Sequence, residues 1–157
     1  MIENFEETFS SALDISSKSQ HLRISDEVKA YLIKFCCNDM LYSPMKRPDK
    51  IISPFLFKGD LPRSERLINL LKETGDFYFF TAGWAPESLC GKGEDFEYNL
   101  SLGLLSYTRL DHSLSGGTIY GHLAKNYNEL IILLNETYEL IMIKRGTPIL
   151  LSLQCWN

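Results

Sequence analysis

A run of aromatic residues most constrains how this chain can fold. Residues 77–80 read Phe-Tyr-Phe-Phe, and residues 82–84 add Ala-Gly-Trp. On a helix these side chains point in every direction, and a helix that is apolar all round is buried on all sides. Pro62 is typical of a first helical turn, and Pro86 disfavours continuation of the helix. The sequence therefore predicts a central buried helix near 63–84.

Other segments carry the 3.6-residue apolar period of amphipathic helices. They span residues 2–13, 25–42, 94–111 and 119–142. Ser25 can cap the second of them, with Asp26 and Glu27 in its first turn. A short apolar run at 149–156 is a last helix or, alternatively, begins with a strand. Alternating strand patterns are few, so a sheet is not expected.

The length and the connectors indicate one domain. The 157 residues lie within the usual range for a single domain. Residues 14–24 show no periodicity and are predicted to be a loop. Residues 44–61 contain three prolines beside several apolar side chains, which predicts an ordered loop. We expect a single helical domain over 1–157: an all-α, compact bundle of five to six helices around the central helix.

The charge and the cysteine pattern exclude several classes of function. The net charge of -4 argues against nucleic acid as the main partner, because phosphate binding requires a surplus of Lys and Arg. No apolar run approaches the ~20 residues that span a bilayer, and the N-terminus lacks a signal-peptide pattern. The four cysteines form no CxxC pair, and reduced thiols are expected. These features predict a cytoplasmic protein without a membrane span, a metal or a cofactor.

Asp76 is the most unusual candidate for chemistry, because it precedes the aromatic run directly. One interpretation is a structural pair with a cation, and Arg109 is the first partner to consider. The other is an acid, a base or a ligand contact in a cleft. His112 and His122 are weaker catalytic candidates, since a helix end and a core edge explain them equally well.

The aromatic side chains could also line an apolar pocket that offers hydroxyl groups. Pockets between the helices of bundles are common ligand sites, although aromatic residues at helical spacing also form plain core. The candidate ligand-binding residues are Phe80, Trp84, Tyr107 and Tyr127.

Gly103 lies inside an apolar helical pattern. A glycine there costs roughly 1 kcal/mol in helix propensity. A close approach between two helices would compensate that cost, and we predict one at Gly103.

Four segments resemble a family of small uncharacterised bacterial proteins. Residues 26–32 read DEVKAYL, and residues 75–89 match a Gly-Asp-x-x-x-Phe-x-x-Gly-x-x-x-Glu-x-Leu core. Residues 98–107 match Tyr-x-x-x-Leu-Gly-x-x-x-Tyr, and residues 135–136 match the Asn-Glu of a later helix. The resemblance covers most of the chain. It implies an all-helical fold and no activity, because the family has none assigned.

The absence of a paired catalytic constellation favours a helical binding or accessory protein that acts on a protein partner or a small apolar ligand. A homodimer formed through the helix at 119–142 or the apolar C-terminal segment is also predicted. The alternative is a small hydrolase- or isomerase-like enzyme with its site around Asp76. That alternative requires Asp76, a histidine and a tyrosine to converge on one cleft.

Overall fold

The computed structural model describes residues 5–39, 47, 64–91 and 93–144. These residues form six α-helices and no strand. The helices are α1 (Phe5–Ser19), α2 (Asp26–Lys34), α3 (Glu65–Trp84), α4 (Phe96–Ser113), α5 (Ile119–Lys125) and α6 (Tyr127–Lys144). A π-helical turn extends α2, and a 3-10 turn follows α3. The predicted all-α bundle is confirmed. Within the described ranges, no helix has the length and apolar character needed to cross a membrane.

Helix α3 is the central helix that the aromatic run predicts. Ser64 caps its start by accepting a hydrogen bond from the backbone N–H of Leu67 at 3.1 Å. The helix ends at Trp84, two residues before Pro86, because a proline pushes the residue before it out of the helical region. The side chains of Phe79 and Phe80 are completely buried.

Helix α4 packs antiparallel against α3. Asp76 of α3 accepts a hydrogen bond from Tyr107 of α4, and Tyr78 lies against Gly103, so residue numbers rise along one helix as they fall along the other. A β-carbon added at Gly103 would lie 2.9 Å from that of Tyr78 and would collide with the hydroxyl of Tyr127. The predicted close helix approach at Gly103 is confirmed.

Helix α6 also packs against α3 and runs parallel to it. The rings of Phe79 and Tyr127 have centroids 5.5 Å apart, and those of Trp84 and Tyr138 are 4.6 Å apart. Because α4 is antiparallel to α3, it is also antiparallel to α6. The N-terminal parts of both helices flank a groove that is described below.

Helix α1 is longer than the sequence predicts and covers part of the predicted loop at 14–24. It continues to Ser19 because Ser16 is fully buried and Ser17 donates its hydroxyl hydrogen bond to a backbone carbonyl three residues earlier. A serine that faces the core or hydrogen-bonds to its own helix is a polar residue in the helical pattern. The apolar period therefore stops in the sequence before the helix ends in the structure. The chain leaves the helix at His21, whose φ is 52°.

The single helix predicted over 119–142 is two helices, α5 and α6. They are separated by Asn126, whose φ of −113° and ψ of 29° lie outside the helical range. Asparagine competes with helix formation by favouring turns and caps. The break lets α5 pack against α4 while α6 packs against α3 and α1. The predicted loop at 44–61, apart from Arg47, and the predicted short helix at 149–156 lie outside the described residues.

Candidate functional site

The carboxylate of Asp76 joins three helices. Its Oδ1 accepts hydrogen bonds from the hydroxyls of Tyr31 on α2 at 2.6 Å and Tyr107 on α4 at 2.7 Å. Its Oδ2 accepts a hydrogen bond from Lys72 Nζ, one turn earlier on α3, at 2.8 Å. The sequence pointed to Arg109 first, whereas the ion pair is made with Lys72. Since hydrogen bonds to a charged acceptor are stronger than neutral ones, this cluster ties α2 and α4 to α3.

Burial keeps the phenols of the cluster protonated. It is the main cause that raises the pKa of Tyr31 and of Tyr107, and the charge of Asp76 raises both further. Tyr120 of α5 completes the cluster, with its ring centroid 6.1 Å from Tyr31 and 5.8 Å from Tyr107. A protonated phenol is a hydrogen-bond donor. The arrangement therefore suits fixed donation to Asp76 better than proton transfer.

The two histidine candidates do not join this cluster. His112 lies in the last turn of α4 and His122 lies on α5, and both side chains are exposed. Among the described contacts of Asp76, the partners are tyrosines and a lysine. No group of three or more His, Cys, Asp or Glu residues that could hold a metal ion occurs in the described ranges.

The four predicted ligand-binding aromatics belong to the core or pack against it. Phe80 stacks on Phe35, with ring centroids 3.8 Å apart and planes at 9°. Tyr107 is fully buried, and Trp84 is half-buried at the C-terminal end of α3. Tyr127 is also buried, and of these four residues it alone lines the groove between α4 and α6.

This groove has a volume of about 570 Å³. On α4, Phe96, Leu100 and Leu104 follow one another at intervals of one helical turn. Ile132 of α6 lies opposite and is 45% exposed. The remaining lining residues are Glu97, Ser101, Tyr127 and Asn128. The sequence shows the helical spacing of this apolar row. It does not show whether the row is buried or exposed, because the spacing is the same in both cases.

The hydroxyl of Tyr127 is buried without a hydrogen-bond partner in the described structure. Burial raises the pKa of this phenol. The hydroxyl lies directly over Gly103, which leaves room for it because glycine has no β-carbon. Tyr127 therefore belongs both to the groove lining and to a close contact between α4 and α6.

The cysteines of the described part are in two states. Cys36 and Cys37 are free and buried in the π-helical turn. Burial raises the pKa of both thiols, that of Cys37 to about 11. Cys90 is disulfide-bonded, so the expectation of reduced thiols is wrong for this residue. The two free thiols are held in the unreactive protonated form.

The motifs that carry the family resemblance coincide with helix contacts. The side-chain amide of Asn135 on α6 donates hydrogen bonds to the carbonyls of Ala82 and Gly83 on α3. A β-carbon at Gly83 would lie 2.7 Å from the β-carbon of Leu134. Asp76 binds Tyr107, as described above. Contacts between helices therefore account for the spacing of these motif residues, and no catalytic role is needed to explain it.

No protein family, curated protein or solved structure matches the chain. The all-helical fold that the resemblance implies is present. Membership of that family stays a prediction.

Asp111 holds the loop between α4 and α5. Its Oδ1 accepts hydrogen bonds from the backbone N–H of Thr118 at 2.8 Å and from the Thr118 hydroxyl at 2.6 Å. Both bonds lower the pKa of Asp111 below its ordinary value of 3.8, and the bond from the Thr118 hydroxyl has the larger effect. The loop contains Ser115 at a φ of 74°, a left-handed conformation that few non-glycine residues adopt.

This loop contact is expected to make the free energy of unfolding depend on pH in the acid range. A lowered folded pKa means that the carboxylate stabilises the fold above its unfolded pKa and loses this effect as pH falls through the folded value. At pH 7, Asp111→Asn should lower the unfolding free energy by about 1 kcal/mol, and this difference from wild type should shrink below about pH 4. Urea unfolding between pH 3 and 7 measures it. Thr118→Val is the control, because its effect should not add to that of Asp111→Asn. A difference that is constant with pH would contradict the expectation.

Proposed function

We propose that this protein is a helical binding protein that docks an apolar segment of a protein partner in the groove between α4 and α6. The observation that carries the proposal is the row of Phe96, Leu100 and Leu104 facing the exposed Ile132. Amphipathic helices dock in such grooves with anchors three, four and seven residues apart. Apolar surface with a polar rim is typical of protein interaction sites.

A protein segment suits the groove better than a small ligand. Small-molecule sites bury 70% or more of a drug-sized ligand. Here Glu97, Ser101, Asn128 and Ile132 are all exposed, so the groove is open along one side. An open, elongated apolar surface favours an extended partner element over an enclosed small molecule.

An enzymatic site at Asp76 has less support. Donors from within the protein engage both oxygens of the carboxylate. His112 and His122 are exposed on other surfaces. The geometry around Asp76 supports a structural tie.

Site-specific photo-crosslinking tests the proposal. A benzoylphenylalanine at Ser101 lies in the groove, and one at the exposed Thr108 lies two turns further along the same helix. In cells that naturally make the protein, the Ser101 probe should crosslink a discrete set of proteins, and Ile132→Glu should reduce the yield at least tenfold. Ile15→Glu replaces another exposed isoleucine, on α1, and should leave the yield unchanged.

Two outcomes would contradict the proposal. Equal crosslinking from Ser101 and Thr108 would mean that the groove is not a preferred contact. A small molecule that copurifies with wild type and is lost from Ile132→Glu, detected by native mass spectrometry, would show that the groove holds a ligand instead of a protein.

A further inference from the structure

We infer that the segment docked in the α4–α6 groove is a basic amphipathic helix, with Lys or Arg residues flanking its apolar anchors. This inference rests on the proposed function and adds the chemistry of the partner. Two kinds of observation support it: the charges around the groove and the spacing of its apolar row.

The charged residue that lines the groove is acidic. Glu97 is exposed on the α4 side, and Glu129 is exposed on α6 directly after Asn128, which lines the groove. Within the part of the chain that the structure describes, neither carboxylate forms an ion pair. None of the described residues that line the groove is Lys or Arg. Glu129 does not line the groove, but it lies one turn before Ile132 on the surface of α6 and so borders it. A cationic partner would therefore find complementary charge in the α4 wall and at the edge of the α6 wall.

Neighbouring charges leave this pattern in place. Glu94, just before α4, is paired with Arg47 at 2.6 Å, so that arginine is engaged away from the groove lining. Lys125 is exposed and, like Glu129, lies outside the groove lining, but it ends α5 and is separated from α6 by the break at Asn126. The net charge of the whole chain, -4, adds a general attraction for cations.

The same charges oppose a second copy as the occupant. A two-fold dimer presents the same patch from both subunits. Pairing of this face with itself would place the carboxylates of Glu97 and Glu129 from both subunits in one interface, and like charges across an interface are unfavourable. A basic helix has no such penalty.

The apolar row indicates how much helix the groove can hold. From Phe96 to Leu104 it is ~12 Å long, at 1.5 Å per residue. That length matches about two turns of a docked helix, which present apolar anchors at positions i, i+4 and i+7. Basic residues just outside these anchors would reach Glu97 in the α4 wall and Glu129 at the edge of the α6 wall.

Three labelled synthetic helical peptides test the inference by fluorescence anisotropy with the full-length protein. The first has leucines at i, i+4 and i+7 with lysines on both flanks. The second has the same leucines with glutamates on the flanks. The third keeps the lysines and has serines in place of the leucines. The first should bind at least tenfold more tightly than either of the others, and its advantage over the second should fall as salt is raised.

Protein variants locate the binding. Ile132→Glu should weaken binding of the lysine-flanked peptide at least tenfold, and the double variant Glu97→Lys, Glu129→Lys should remove its advantage over the glutamate-flanked peptide. Glu73→Lys with Glu65→Lys is the matched control, because both glutamates are exposed on α3 and the net charge changes equally. This control should change the preference less than threefold.

The possible failures separate the two proposals. Equal binding of the lysine- and glutamate-flanked peptides, both lost in Ile132→Glu, would overturn the charge inference and leave the proposed groove function in place. Lysine-flanked binding that survives Ile132→Glu, or that does not need the leucines, would mean non-specific attraction and overturn the inference. A dimer in analytical ultracentrifugation that Ile132→Glu dissociates would identify a second copy as the occupant and also overturn it.

Discussion

Replacing Asp76 with alanine is expected to lower the free energy of unfolding by about 2–4 kcal/mol, because each of two hydroxyl donors left without its acceptor costs about 1–3 kcal/mol. The variant leaves the hydroxyl of the half-buried Tyr31 and that of the buried Tyr107 without their acceptor, and it removes the carboxylate from Lys72. Lys72 is 43% exposed in its side chain and can be hydrated by solvent, so the tyrosines account for most of the loss. Urea unfolding followed by circular dichroism measures it.

Conservative variants separate hydrogen bonding from charge in this cluster. Tyr31→Phe and Tyr107→Phe each remove one donor and should each lower the unfolding free energy by about 1–2 kcal/mol. Asp76→Asn keeps an acceptor oxygen and should cost less than Asp76→Ala. A loss below about 1 kcal/mol for Asp76→Ala would mean that the carboxylate is not a structural tie, and a role in chemistry would then regain support.

Gly103→Ala is expected to lower the free energy of unfolding by about 2 kcal/mol, within the range of about 1–3 kcal/mol for overpacking a closely packed contact. The added methyl group would collide with the hydroxyl of Tyr127 and press on Tyr78. This cost should exceed the gain of about 1 kcal/mol that alanine brings to a helix interior. Ser101→Ala, at an exposed position of the same helix, should change stability by less than about 0.5 kcal/mol.

A second substitution tests the cause of this loss. Tyr127→Phe removes a buried hydroxyl that has no partner in the described structure, so alone it should stabilise the protein by about 1 kcal/mol. Combined with Gly103→Ala it should recover more than its own single effect, because the collision is relieved. Strictly additive effects of the two substitutions would contradict this account.

The sequence predicts those parts of the fold that a local pattern determines. The aromatic run at 77–80 covers every side of a helix, and it predicts a buried α3 without any knowledge of the neighbours. Gly103 is a similar case, because a glycine in an apolar helix implies a partner that needs the space. Both predictions concern what one segment requires. The close approach at Gly103 is confirmed, and the burial of α3 is confirmed for most of residues 71–83, whereas Glu65 and Glu73 are exposed.

Pairings between distant segments are less predictable. Tyr31 and Tyr107 are 45 and 31 residues from Asp76 along the chain, and helical periodicity places them on apolar faces without showing which group they meet. The break at Asn126 is likewise weak in the sequence, because the apolar stripe continues across it. That break directs α5 onto α4 and α6 onto α3, and the flanks of α4 and α6 are the walls of the groove.

The position of α3 between α4 and α6, with α2 attached through Asp76, determines how its backbone amides exchange with heavy water. Local opening can expose amides at a fraying end of a bundle, but amides in the middle of α3 can exchange only when the neighbouring helices separate. Deuterium uptake along residues 71–83 should therefore follow global unfolding and report the stability of the whole assembly of helices.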